Sequence, residues 1–177
     1  MATPTGSPHR LFVLRHAKSA WTNSHLADHD RTLAPRGRRA AELLAAHIGG
    51  LDPAPALVIS STARRAQETL EPLLPRLPDR TEVLIEEGLY GAPVPLIVSR
   101  LREVPEATPS VLVVGHNPGL EDLVRGLGTD GDPELIDRVR TKFPTGAFAT
   151  LTFDGAWKDL GSGVARLEAF VVPGDLE

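Results

Sequence analysis

Three short runs of apolar residues stand far apart along the chain, and each ends on residues that can do chemistry. Leu11-Phe12-Val13-Leu14 ends at Arg15-His16, Ala56-Leu57-Val58-Ile59 at Ser60-Ser61, and Val111-Leu112-Val113-Val114 at Gly115-His116. Runs that are apolar at every position, not at every second one, predict strands buried on both faces of a sheet. Between them the spacing turns helical. Pro35 opens a helix with Ala40, Leu43, Leu44 and Ile48 on its apolar side and Gly49-Gly50 as its stop. A second helix is predicted from about Ala63 to Leu74 and a third from Pro95 to Glu103. Val83-Leu84-Ile85 predicts a weaker, edge strand. Asn117 is placed to cap a further helix, with Pro118 in its first position. Towards the C-terminus, residues 147–153 and 165–172 flank the turn-rich stretch 154–163 and predict an antiparallel pair.

Strands alternating with helices predict an α/β fold. The expected form is a three-layer α/β/α sandwich, with a mostly parallel sheet and an antiparallel C-terminal pair. Ligands bind such sheets beyond the carboxyl ends of the strands, where Arg15, His16, Ser60, Ser61 and His116 gather. Arg64 and Arg65 follow the second strand on the first turn of its helix, at an end that attracts anions. Two histidines and two or more arginines on one rim predict a phosphate site, because arginine grips phosphate oxygens as a fork.

Composition narrows the options. A chain of 177 residues predicts one domain, taken as 10–177, behind a flexible tail over 1–9. The net charge of -4 and the lack of a basic stripe argue against nucleic acid as a partner. The absence of cysteine excludes disulfides, thiolate nucleophiles and cysteine-ligated metals. No apolar run has the length of a membrane span, and Met1–Arg10 lacks the apolar core of a secretory signal, so no membrane partner and a cytoplasmic location are expected. No metal or cofactor is expected either. The one metal-like grouping, residues 25–30 with His25 and His29, needs a helix to bring its histidines to one face, and the segment has no clear amphipathic pattern. Gly115-His116-Asn117-Pro118-Gly119 has the glycine spacing of a nucleophile elbow, but Asn117 stands where the serine must be.

Three segments together resemble a known family. Leu14-Arg15-His16-Ala17-Lys18-Ser19 is similar to the Arg-His-Gly signature of the histidine phosphatase superfamily, which has the phosphoglycerate-mutase-like fold. Residues 61–69, Ser-Thr-Ala-Arg-Arg-Ala-Gln-Glu-Thr, resemble its second motif, and Val113-Val114-Gly115-His116-Asn117 its third. Residues 28–33 with Arg36-Gly37 resemble the corresponding segment of the short SixA-type branch. Ala17 departs from the usual glycine. If that position required a positive φ, alanine there would be strained by about a kcal/mol or more.

The resemblance implies roles. His16 attacks phosphorus and becomes phosphohistidine, while Arg15, Arg65 and His116 hold the phosphoryl oxygens; Arg65 is preferred to Arg64 by motif spacing. The physical chemistry is consistent with this. Nearby guanidinium charges keep a histidine neutral and nucleophilic, and they stabilise the spread charge of a phosphoryl transition state without a metal. Glu87 matches the position where ester-cleaving members keep an acid. Lys18, Ser19, Arg31 and Asn117 are the expected substrate contacts. Only 28 residues lie between Glu87 and His116, too few for much of a lid. An open pocket suits a phosphorylated protein side chain, so the expected substrate is protein phosphohistidine and the expected product is phosphate. The alternatives are a small phosphorylated metabolite, as in a phosphomonoesterase, or a non-catalytic phosphate- or phosphoprotein-binding module.

Overall fold

The computed structural model describes residues 7–177. Its elements are β1 (His9–Arg15), α1 (Pro35–Gly49), β2 (Leu57–Ser61), α2 (Arg64–Leu70), β3 (Glu82–Glu86), α3 (Val94–Arg102), β4 (Ser110–Gly115), α4 (Gly119–Leu127), β5 (Gly128–Gly131), α5 (Pro133–Thr141), β6 (Phe148–Phe153) and β7 (Ala165–Val171). All seven strands join one sheet in the order β3-β2-β4-β1-β6-β7-β5. The pairs β2–β3, β2–β4, β1–β4 and β5–β7 are parallel, and β6 runs antiparallel to both its neighbours. The sheet is therefore mostly parallel, and the expected C-terminal pair is β6–β7.

The apolar runs form strands because both sheet faces are covered. Phe12, Leu14, Val58, Leu112 and Val114 pack on one face against α1 and α2, through Leu44, Ile48, Ala66 and Leu70. Leu11, Val13, Leu57, Ile59, Val111 and Val113 pack on the other against α3, α4 and α5. Alternate residues of each strand thus serve opposite cores, which is why no polar position interrupts the runs. From β1 the chain crosses over β4 to β2 on the α1 face. From β4 it crosses the other way, past β1, β6 and β7 to β5, on the α4 face. The carboxyl ends of the adjacent strands β1 and β4 are therefore the switch point of the topology, where such sheets bind ligands.

Several expectations are corrected. The tail does not extend to residue 9: His9 is already in β1, paired with Phe153, and its ring bonds the Gly155 carbonyl oxygen at 2.8 Å. The rest of the expected tail up to Gly6 lies outside the described residues. α2 stops at Leu70 because Pro72 has no N–H to extend the ladder, and a separate 3-10 turn follows at Leu74–Arg76. α4 starts at Gly119 with Pro118 as its cap residue, and Asn117 makes no capping bond. Its side chain donates instead to the Phe143 carbonyl oxygen at 2.8 Å. β5 and α5 are additions: β5 is a short edge strand with no large apolar residue, and α5 buries only Val139.

α1 enters at close range to the loop that leaves β1. A Cβ on Gly37 would stand 2.0 Å from the Lys18 carbonyl oxygen, which itself accepts from the Ala34 N–H. Gly37→Ala must push α1 and this loop apart. The expected outcome is a loss of about 1–3 kcal/mol in stability, seen as a lowered thermal unfolding midpoint. Gly155→Ala, where an added Cβ meets nothing within 4 Å, should leave the midpoint close to that of the parent protein.

Candidate active site

His16 sits one residue beyond β1, fixed from both sides. Its N–H donates to the Gly115 carbonyl oxygen of β4 at 3.0 Å, and the Arg15 N–H donates to that of Ala147 at 3.0 Å. The Ala17 N–H donates to Thr69 Oγ1 at 2.9 Å, and that hydroxyl donates to the Arg65 carbonyl oxygen at 2.7 Å. No non-glycine residue among those described has a positive φ, so Ala17 carries no left-handed strain.

The ring of His16 has one possible neutral arrangement. Nδ1 lies 2.7 Å from the Ala17 carbonyl oxygen, which can only accept, so Nδ1 carries the hydrogen. The lone pair is left on Nε2, facing Arg65 Nε at 3.4 Å. Burial pushes the His16 pKa down to about 3, and the charges of Arg65 and Arg15 and the ring of His116 act the same way against the Ala17 bond. The His116 ring stands 5.2 Å away. Arg65 Nη2 reaches its Nδ1 at 3.4 Å, so Nδ1 accepts and Nε2 donates to Ser61 Oγ at 2.8 Å. Burial, then the charge of Arg65, pushes the pKa of His116 down to about 4.

The guanidinium of Arg65 is turned so that its other edge meets Asp28. Nη1 donates to the Asp28 carbonyl oxygen at 2.7 Å and Nη2 to Asp28 Oδ2 at 3.0 Å. The same carboxylate accepts from Tyr90 Oη at 2.6 Å and from Arg31 Nη1 at 2.8 Å. The Tyr90 hydroxyl, followed by Arg31 and Arg65, holds the Asp28 carboxyl well below the usual carboxylate range, against its partial burial. The Tyr90 hydroxyl is pushed up in turn, first by this hydrogen bond. Arg15 donates from Nη1 to the Phe143 carbonyl oxygen at 3.0 Å, while its buried Nε has no partner within the described protein. Burial, with the charge of Arg65, lowers the Arg15 pKa against the opposing pull of Glu121. A buried donor without a partner costs about 1–3 kcal/mol, so Arg15 Nε is well suited to a bound anion.

Arg15, His16, Arg65 and His116 thus stand together at the strand ends. Arg31 and Ser19 lie one layer behind: Arg31 Nη2 donates to Ser19 Oγ, and its guanidinium lies 3.3 Å over the Trp21 ring. Asn117 shares the Phe143 carbonyl with Arg15. Arg64 is exposed and pairs with Glu68. Lys18 is exposed and lines a separate cavity with Arg36 and Lys142. Glu87 is exposed, and its side chain makes no hydrogen bond or ion pair with the cluster. His25 and His29 do not share a helix: Asp28–Asp30 is a single 3-10 turn, and His29 Nε2 bonds Thr62 Oγ1 at 2.8 Å. Asp28, Tyr90 and Thr69 were not among the expected site residues. Their sequence signals gave them no role: Asp28 opens the segment 28–33 and stands three positions before Arg31, and Thr69 closes the second motif one helical turn after Arg65. Chemically, the cluster offers a neutral nucleophilic nitrogen between two guanidinium groups, the donor set that suits a phosphoryl dianion.

The sequence pattern of the histidine phosphatase superfamily (branch 1) matches residues 11–91. An uncharacterised protein of Mycobacterium tuberculosis is 38% identical over 162 residues, which cover 90% of this chain and 99% of that protein. The structure of a presumed phosphohistidine phosphatase SixA from Nakamurella multipartitia superposes with a TM-score of 0.82 at 34% identity, covering 96% of this chain and 98% of its own. The protein histidine phosphatase SixA complexed with tungstate superposes with a TM-score of 0.76 at 25% identity, covering 95% and 99%.

The lowered histidine values have a consequence for acid stability. A histidine in the unfolded chain protonates around its ordinary value of 6.5, whereas folded His16 and His116 wait until about 3 and about 4. Between these values the unfolded chain binds more protons. The stability is complete above pH 6.5 and is lost as the pH falls towards 4 and then 3. Chemical denaturation across this range should show His16→Gln and His116→Gln each with a shallower acid-side loss than the parent protein. Parallel profiles would contradict the neutral-histidine assignment.

Proposed function

Because the chain belongs to the histidine phosphatase superfamily, in its SixA-type branch, we propose that it dephosphorylates protein phosphohistidine through a phosphoenzyme on His16. His16 Nε2 attacks phosphorus in line with the leaving group. The new N–P bond forms as the substrate's P–N bond breaks, and the departing imidazole, whose other ring nitrogen already carries a hydrogen, keeps the electron pair and leaves neutral. Arg65 and Arg15 Nε carry the negative charge of the transferring group, with His116 as a third contact. Water then attacks the phosphohistidine, releasing inorganic phosphate and neutral His16. The hydrogen bond from Nδ1 to the Ala17 carbonyl supports both steps, since it stabilises the positive charge that grows on the ring while it is phosphorylated.

One observation carries the choice of substrate. The carboxyl group nearest the nucleophile by hydrogen bonding is Asp28, which Tyr90, Arg31 and Arg65 keep ionised and therefore unable to donate a proton. Glu87 stands outside this network. An alkyl phosphate leaves as an alkoxide and needs a proton donor at hand, whereas phosphohistidine leaves as imidazole and does not. The site is equipped for the second kind of leaving group.

The test begins with acid- and base-quenched reactions. Phosphate stable in base and labile in acid should be trapped on His16, and His16→Ala should trap none while losing at least about a thousandfold in turnover. A phosphohistidine peptide should then be hydrolysed faster than an alkyl phosphate such as glycerol phosphate. The reverse order, with a Glu87→Gln loss confined to alkyl phosphates, would replace this reading with a small-molecule phosphomonoesterase. Binding of both without turnover would make the protein a phosphate-binding module.

A further inference from the structure

Next to the nucleophile's loop lies a second cavity, of about 330 Å³, that the reaction above does not use. Three cations from three separate segments line it: Lys18 from the loop after β1, Arg36 from the first turn of α1, and Lys142 from the end of α5. All three are exposed, and none has a carboxylate within ion-pair distance among the described residues. No aspartate or glutamate lines the cavity; its remaining wall includes Thr145 and Pro173. In a chain with a net charge of -4, three unpaired cations around one hollow form a local positive field.

The cavity is joined to the candidate active site by backbone on both sides. Lys18 lies two residues after His16, and its carbonyl oxygen is held by the Ala34 N–H just before α1. Lys142 directly precedes Phe143, whose carbonyl oxygen takes Arg15 and Asn117. Gly146, at the far end of the same short segment, donates its N–H to the carbonyl oxygens of both Arg15 and His16. Its φ of +77° and a Cβ position 2.6 Å from Pro173 Cγ make glycine necessary there. The hollow is thus part of the same rigid rim as the nucleophile.

Building on the proposed function, we infer that this cavity is a subsite for carboxylate side chains that flank the phosphohistidine on the substrate protein. Three ammonium and guanidinium groups around an open hollow suit a pair of acidic residues on a protein surface. The open rim admits them while the phosphoryl group sits on Arg65. The contribution is that of exposed ion pairs: modest in energy, sensitive to salt, and more visible in substrate choice and capture than in the chemical step.

Two measurements test this, one of which does not depend on turnover. First, an unphosphorylated peptide carrying two glutamates is titrated into the labelled protein and backbone amide shifts are followed by NMR. Thr145 and Gly174 should shift, and the same peptide with glutamine in place of glutamate should shift neither. No response to the acidic peptide overturns the proposal, and so does an equal response to the glutamine peptide. Second, kcat/KM is measured for phosphohistidine peptides with and without the flanking glutamates. Arg36→Gln/Lys142→Gln should lower it about five- to tenfold for the acidic peptide, mainly through KM, with a much smaller change for the neutral one and the difference erased at high salt. Equal losses on both peptides, or none on either, overturn the subsite. Failure of both peptides as substrates, with the acidic shifts still present, strikes the phosphohistidine reading and leaves the carboxylate site standing.

Discussion

A guanidinium cannot give up its proton within a protein, and that of Arg65 is buried to 6% exposure. A buried permanent charge must be paired, and everything it touches must tolerate it. Asp28 supplies the pairing. His16 and His116 supply the tolerance: each presents a lone pair to Arg65, and each can do so only while neutral. The tautomer of each ring then follows from its far side, the Ala17 carbonyl for His16 and Ser61 for His116. Burial, with this fixed charge beside them, therefore keeps both imidazoles neutral, and the lone pair that His16 offers is on the nitrogen facing Arg65.

Where Arg65 stands is decided by topology. The chain leaves β1 and β4 in opposite directions, on opposite faces of the sheet, which opens a crevice between their carboxyl ends. His16 and His116 come from these two adjacent strands. Arg65 reaches them from the first full turn of α2, at the end of β2 on the other side of β4. Thr69, one turn further along α2, ties the Arg65 carbonyl oxygen to the N–H of Ala17. The helix that carries Arg65 is thereby fastened to the loop that carries His16, and neither can shift without the other.

Much of this was legible in the sequence. The central strands read clearly because burial on both faces removes polar residues from them, and the polar residues return where burial ends, at Arg15-His16 and Gly115-His116. Arg65 could be told from Arg64 by motif spacing alone; the fold adds the physical reason, since one turns into the crevice and the other pairs with Glu68 on the surface. What could not be read is equally instructive. β5 has no large apolar residue because it is an edge strand with one partner. Asp28 fell within a matching segment but without a role, because the groups that give it one, Arg65 and Tyr90, lie 37 and 62 residues away in the chain. Glu87 drew attention through its place in a motif, yet local sequence says nothing about whether a glutamate beyond an edge strand turns towards the crevice. Lys18 was read as a substrate contact; the close approach of Gly37 fixes the backbone of its loop against α1, and its side chain lines the neighbouring hollow.

The geometry of Arg65 also explains why the position calls for arginine. Its guanidinium uses two different edges. Nη1 and Nη2 hold Asp28, at 2.7 and 3.0 Å, and these are ordinary hydrogen bonds. Nε and the second hydrogen of Nη2 point to the two histidines at 3.4 Å each, which are long. The tight edge anchors and the loose edge faces the crevice, so an entering phosphoryl oxygen can take over the loose edge while the anchor stays in place. Lysine has a single point of charge and would have to choose between Asp28 and the substrate. Asp28, kept ionised by Tyr90 and Arg31, is thus a positioning residue: it spends its charge on orienting the guanidinium and has no proton to give a leaving group. The same contact that aims the arginine also withholds the acid. On the reading proposed above, this ties the site's electrostatic strength to leaving groups that depart without help.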